Sequence, residues 1–302
     1  MFSMEQVKSR KSRRNFTNRF ELLDLILLIL LTGWALMIII PFVNVLAVSF
    51  ATQKEYMDAR VLIIPKNIIL DNYIALFQDG RIWTGYRTTL TYLLIGVPIN
   101  MFLTTTMAYG LSRPLPFRRF FIYFIVFTMM FNGGIIPLYM LMKELKLINS
   151  IWAVLLGAGL NSFYLIIMRN YFMALPDSLI ESAKLDGASE LRILASIVLP
   201  VSLPIIATII LFYSVDRWNE WYLSMIFIRK NNIVPLQLVL RAIVMENQAS
   251  RQFSASLTET DLRFTEGMKM GAVFVAMLPI MCVFPFLQKY FVKGVLIGAI
   301  KG

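Results

Sequence analysis

Long apolar runs dominate the chain and leave few options for folding. Stretches of roughly six spans' worth of mostly apolar residues, near 24–48, 88–112, 119–141, 152–174, 201–226 and 268–288, are separated by short polar or charged segments. A run of about 18 or more such residues crosses a hydrocarbon core of about 30 Å as a helix. Within lipid every backbone polar group needs a partner inside its own segment, which selects helices over irregular chain. The expected fold is therefore an all-α integral membrane protein with about six transmembrane helices. With 58% apolar and 16% charged residues, the composition lies far from that of a soluble domain, where about half the residues are apolar and a quarter charged. The first run exceeds the 7–15 residues of a signal-peptide core and no small-residue cleavage site follows promptly, so it is expected to remain as a span.

Charge gives direction to this topology. Lys8, Arg10, Lys11, Arg13, Arg14 and Arg19 precede the first span, and cytoplasmic flanks are enriched in Lys and Arg. The reading is a basic cytoplasmic N-terminus over 1–23, a six-helix region over 24–290 and a cytoplasmic tail over 291–302. Arg113, Arg118 and Arg119 between spans two and three, and Lys289, Lys293 and Lys301 after span six, fall on the same side. The net charge of +11 is explained by these flanks and by anionic membrane lipids, so nucleic acid is not an expected partner. Among the outer segments, Asp71 is placed as a helix N-cap ahead of Tyr73, Ile74 and Phe77 at helical spacing.

Several chemistries are excluded. The chain has no histidine and one cysteine, Cys282, so imidazole acid–base catalysis, an intrachain disulfide and thiolate metal sites have no residues to build them. There is no GxxxxGK[ST] loop to cradle a nucleotide. No cofactor or metal is expected in this chain.

One polar island interrupts the pattern, PDSLIESAKLDGASELRILASIVLP over 176–200. Ser178 and Glu181 match an S-x-x-E capping box, Gly187 stops the first helix, and Ser189 is placed to cap a second. In that second helix Leu191, Ile193, Leu194, Ile197 and Val198 form an apolar stripe opposite Glu190, Arg192 and Ser196. The pattern predicts a helix–turn–helix on the cytoplasmic side, either a knob for a partner or an amphipathic pair resting in the headgroups.

Ionisable residues also enter the membrane. Asp216 lies about 22 Å beyond Val201 at 1.5 Å per residue, with Arg217 and Glu220 close by. Such residues pair with one another or face a water-filled cavity. Trp218, Trp221 and Tyr222 beside Asn219 offer flat faces for sugar rings or an aromatic belt at the interface. Asn100 and Thr104, Asn132 with Gly133 and Gly134, and Asn161 with Ser162 are further candidates for a translocation path, or for hydrogen bonds between helices.

The island resembles the EAA loop of ABC-importer permeases, with Glu181, Ser182, Ala183, Asp186, Gly187, Ile197, Leu199 and Pro200 at motif positions and Ser182 in place of the first Ala. The similarity extends through LPDSL, WNEWY at 218–222, VPLQLVLR at 234–241 and the tail QKYFVKGVLIGAIKG. Together these are similar to carbohydrate-type permeases, those for polysaccharide-derived oligosaccharides above all. The resemblance implies a bacterial inner-membrane importer with both termini cytoplasmic, built from a second permease, an ATPase dimer that binds Mg-ATP, and an extracytoplasmic sugar-binding protein, and carrying an oligosaccharide. It implies that the loop docks in the ATPase and that the tail, with Lys293, Gly294, Gly298 and Lys301, reaches the same partner. It also implies that this chain is no enzyme, hydrolysis belonging to the ATPase. The alternatives are an ion-coupled secondary carrier, for which only the Asp216–Glu220 cluster speaks, and a non-transporting scaffold.

Overall fold

The computed structural model describes residues 22–59, 61–253 and 265–299, with side chains at 24–59, 61–245, 266–283 and 285. The basic N-terminal cluster and Lys301 lie outside the described residues, as does the side chain of Lys293. All regular structure in the described residues is helical.

The chain divides into two compact units, Met1–Asn44 and Val45–Gly302. Helix α1 (Leu22–Ser49) begins in the first. Its side chains from Leu25 to Ile40 are exposed, as suits a helix that is apolar all round and solvated by lipid.

The second unit contains α2 (Gln53–Asp58), α3 (Asp71–Gln78) and the long α4 (Gly80–Ser112). Then come α5 (Arg118–Met130), α6 (Ile135–Glu144), α7 (Ile151–Gly157) and α8 (Ser162–Met173). They are followed by α9 (Asp177–Leu185), α10 (Glu190–Val201), α11 (Leu203–Trp218) and α12 (Tyr222–Phe227). The last are α13 (Leu236–Phe253) and α14 (Thr265–Ala299). The core is made where α4 packs on α8, α11 and α13, and where α14 packs on α3, α11 and α13. Many large apolar side chains face outward, including Phe120, Tyr123, Phe124 and Met130 on α5. That inverts the arrangement of a soluble protein and matches a surface immersed in hydrocarbon.

Three expected spans are not straight. The third, placed over 119–141, breaks between α5 and α6 with a bend of 111°; the fourth, over 152–174, bends by 51° between α7 and α8. The fifth, over 201–226, is interrupted after Trp218, with Tyr222–Phe227 a separate short helix, while the 87° turn at Ser202 falls at its expected start, where the island's second helix meets it. The causes are local. Gly134 sits at φ 86, a left-handed conformation that a Cβ disfavours, and its N–H donates to Asn132 Oδ1 at 2.9 Å. Asn132 and the two glycines therefore make a turn and not a stretch of helix. Asn161 caps α8, its Oδ1 accepting from the amides of Phe163 (3.0 Å) and Tyr164 (3.3 Å). At Ser202, Pro200 and Pro204 flank the break and neither can donate a helical hydrogen bond.

The second span starts earlier than expected, at Gly80, and opens into a wider π turn over Tyr92–Gly96; another π turn covers Leu194–Val198 in α10. Each lies just ahead of a proline, Pro98 or Pro200. A proline ring collides with the carbonyl four residues back, and widening the turn removes the collision. The Asp71 cap is also corrected: Leu70 holds the cap position of α3 without a side-chain bond, and Asp71 is the first helical residue.

Candidate functional site

The island folds as two short helices around Gly187. The amide of Gly187 donates to Lys184 O (3.0 Å) and that of Ala188 to Ala183 O (2.9 Å), the paired bonds of a Schellman ending. Gly187 has φ 78, and nothing lies within 4 Å of where its Cβ would be. The glycine is thus required for backbone conformation and not for space. Ala183 is buried while Glu181, Ser182 and Asp186 are exposed.

Two details of the expected capping do not form. Pro176 occupies the cap of α9 without a side-chain bond, and Ser182 Oγ, at the first-Ala position, donates back to Ser178 O at 2.8 Å. The helix begins too early, at Asp177, for Ser178 to cap it, so Glu181 is left pointing outward. Ser189 does hold the cap position of α10, but its side chain makes no capping bond.

Glu190, the first residue of the second helix, links it to its neighbours. Lys184 Nζ reaches its Oε1 at 2.7 Å, and Tyr109 Oη donates to its Oε2 at 2.6 Å. The Lys184 contact first, then the Tyr109 hydroxyl, holds the Glu190 carboxyl below its ordinary pKa. The Arg113 guanidinium lies 5.0 Å over the Tyr109 ring. These contacts tie both island helices to the end of α4. Beneath them Ile180, Ala183, Ile193, Leu194 and Val198 pack with Ala108, Tyr109, Met168 and Phe172 in one buried cluster. Ile197 and Leu199 pack against it, and Pro200 is exposed. Leu191 leaves the predicted stripe and is 77% exposed, as Leu185 is at 90%. The extra residue of the π turn rotates the apolar face, so a regular 100° step misplaces Leu191.

The other end of α11, about 24 Å away at 1.5 Å per residue, carries the intramembrane polar cluster. Arg217 is buried, and it pairs with neither carboxylate of the cluster. Its Nε donates to Asn100 Oδ1 (3.0 Å), Nη1 to Val154 O (3.3 Å), and Nη2 to Leu155 O (3.0 Å) and Ala158 O (2.8 Å). Asn100 Nδ2 donates to Ala158 O (2.9 Å) and Gly159 O (2.6 Å). Together they satisfy the carbonyls freed where α7 ends, and the guanidinium meets the negative end of its dipole. Gly96 makes the approach possible, because a Cβ there would lie 2.9 Å from Leu155 Cδ2 and 3.0 Å from Arg217 Nε.

The remaining members go separate ways. Asp216 Oδ2 accepts from Tyr164 Oη at 3.0 Å. Tyr213 Oη bonds Thr104 Oγ1 at 2.6 Å and accepts from the Asn161 amide at 3.1 Å. Glu220 Oε1 accepts from the Leu223 amide at 2.8 Å at the start of α12. Trp218 is buried, its Nε1 donating to Ala276 O at 3.1 Å. Asn219 and Trp221, in contrast, line a cavity of about 560 Å³ together with Gln237 and Arg241 of α13. Gln237 and Arg241 belong to the VPLQLVLR stretch, where neither sequence spacing nor charge marks which loop faces which. Of the tail, Gly294 and Gly298 belong to α14, whose backbone is helical through Ala299.

A bundle of broken apolar helices with a rigid Gly-hinged knob at one end defines a membrane transport subunit. The family model described as "Binding-protein-dependent transport system inner membrane component" matches residues 73–297, and the chain belongs to this family. It is similar to the polygalacturonan/rhamnogalacturonan transport system permease protein YtcP of Bacillus subtilis (strain 168), 39% identical across 93% of this chain and 99% of that one. The arabinooligosaccharides transport system permease protein AraQ of Halalkalibacterium halodurans is 25% identical over 89% of this chain and 93% of its own length. A solved bacterial ABC transporter involved in the import of the acidic polysaccharide alginate matches with a TM-score of 0.82 and 31% identity, over 89% of this chain and 96% of that one. The chain is thus a permease subunit of an ABC importer and not an enzyme.

Proposed function

We propose that this chain is one of two homologous permeases in a bacterial inner-membrane importer for oligosaccharides, with both termini cytoplasmic. An ATPase dimer binds Mg-ATP below it, and an extracytoplasmic binding protein delivers the sugar above. The relatives' names support the sugar class, and the family description supports the binding protein.

The observation that carries the mechanism is the fusion of the island to the core. Glu181, Asp186, Leu185 and Leu191 face outward, while Ala183 and Ile193 are buried with residues of α4 and α8. A push on the outward face by a closing ATPase dimer moves the island as one body, because the Schellman turn and the Glu190 contacts oppose bending between its helices. The motion passes to α4 and α8 through the shared core and to α11 through the Ser202 bend. Packed interfaces have discrete arrangements and do not deform continuously, so such a push switches access between the two sides of the membrane. In this reading the C-terminal segment with Lys293, Gly294, Gly298 and Lys301 is a second contact to the ATPase.

The test is uptake of radiolabelled galacturonan and arabinan fragments by proteoliposomes holding the whole transporter. Uptake is expected to require ATP, to survive collapse of ion gradients, and to fall at least tenfold in Gly187→Val with the complex still assembled. Uptake driven by an ion gradient without ATP would establish the secondary carrier instead. Undiminished uptake in Gly187→Val would sink the role of the island.

A further inference from the structure

The cavity bounded by the start of α12, α13 and α14 has the composition of a carbohydrate site with one unusual addition. Its wall is apolar, including Leu240, Ala276 and Ile280, and its polar groups are Asn219, Gln237 and Arg241. About 560 Å³ of space falls within the range of about 300–1,000 Å³ usual for small-ligand clefts. The Arg241 guanidinium carbon lies 4.0 Å from the centre of the Trp221 ring. Stacking of this kind holds the planar fork flat and leaves its edge N–H groups free to donate. No carboxylate among the described side chains forms an ion pair with Arg241. Asn219 uses Nδ2 on Val215 O at 3.0 Å, which leaves its Oδ1 as an acceptor.

From this geometry we infer that the cavity is a substrate-contact subsite for an acidic sugar unit, a uronate, with Arg241 as the residue that selects the carboxylate. The inference rests on the importer reading above. A guanidinium fork matches a carboxylate with two parallel hydrogen bonds. The Asn219 and Gln237 amides suit ring hydroxyls, and the apolar wall suits the C–H face of the ring. Trp221 acts as a positioning residue for Arg241. Two of the similar proteins are named for polymers of this chemistry, polygalacturonan and alginate, the latter described as acidic. A lipid phosphate would present the same anionic chemistry to Arg241, and the experiment separates the two sources.

The assembled transporter, with its partner permease, ATPase and binding protein, is reconstituted in liposomes with ATP. Two probes are compared, trigalacturonate and its fully methyl-esterified form, which has lost the charges but kept the ring. The wild type is expected to favour the acid. Arg241→Gln is expected to lower the acid-to-ester uptake ratio about tenfold, through KM more than kcat, and Arg241→Lys to restore part of it, since Lys offers charge without the fork. Trp221→Leu is expected to lower the ratio less. Equal losses on both probes, an unchanged ratio, or a wild-type preference for the ester would overturn the subsite. So would a defect that tracks the removal of anionic lipid and not the charge of the sugar. ATP-driven uptake with a ratio insensitive to Arg241 refutes only the subsite, whereas absence of ATP-driven uptake of any oligosaccharide refutes the importer reading itself.

Discussion

The two ends of α11 use charge in opposite ways. Near Ser202 the island exposes its ions: the Lys184 and Glu190 side chains are 49% and 53% accessible although only 2.7 Å apart. Near Trp218 the Arg217 side chain is buried and surrounded by carbonyls. An exposed pair is screened and contributes about 0–1 kcal/mol. A buried cation stripped of its partners, or buried carbonyls stripped of their cation, carries a desolvation penalty of several kcal/mol. The island is therefore a surface that is held in shape mainly by its backbone turn and its apolar underside. The Arg217 node is a lock, and its charge is structural in proportion to its burial.

The glycines follow the same division. Gly187 has open space around it but a left-handed backbone, whereas Gly96 lies in an ordinary helical conformation and faces Leu155 and Arg217 at close range. One is required by conformation, the other by contact.

Substitutions can break this comparison, beginning with the largest effect. Arg217→Met is expected to destabilise the permease by about 3–5 kcal/mol, because it takes the Arg217 donor from Asn100 Oδ1 and one donor from each of the Val154, Leu155 and Ala158 carbonyls in a buried site. The measure is the thermal midpoint of the purified subunit in detergent and the yield of folded protein. Gly96→Ala comes next, at about 1–3 kcal/mol, since the methyl group forces the Leu155 and Arg217 side chains apart; adding Leu155→Ala to the same chain is expected to recover part of the loss. Gly187→Ala is expected to cost about 1–2 kcal/mol through the backbone alone, and no second-site truncation is expected to relieve it. If such a truncation did relieve it, the division between conformation and contact would be wrong.

The smallest effect is electrostatic and depends on pH. Folding holds the Glu190 carboxyl below its ordinary value through Lys184 and then Tyr109. A depressed carboxylate contributes stability that is complete above its unfolded pKa, about 4.3 for Glu, and that disappears as pH falls through the lower folded value. Wild type is thus expected to lose slightly more stability than Glu190→Gln between about pH 5 and pH 3, and the two to run parallel at neutral pH, by denaturant titration of the detergent-solubilised protein. A difference persisting unchanged below pH 3 would show that the carboxylate is not the source.

Much of this architecture is legible along the chain because membranes enforce local rules. An apolar run of sufficient length must be a helix, and the Gly187 turn shows in the pattern because a glycine ends one amphipathic segment and a polar residue begins the next. The breaks in spans three and four had local signals too, Asn132-Gly133-Gly134 and Asn161-Ser162, which the surrounding hydrophobicity masked when read only for length. The π turn that exposes Leu191 has its signal in Pro200, but its effect on the apolar face requires the register of the whole helix.

Other features had no local signal. That Arg217 bonds Asn100 and the carbonyls at the end of α7, and not the carboxylates one and three positions away, depends on residues 59 to 117 positions distant. The approach of Arg241 to Trp221 likewise depends on how the start of α12 meets α13. The sequence by itself determined the helical class, the approximate positions of the apolar runs and the turn of the island, since each follows from the interaction of neighbouring residues with lipid or with their own backbone. Only the tertiary structure decided which charges became locks and which remained open to a ligand, because hydrogen bonds and burial are settled between helices and not along them.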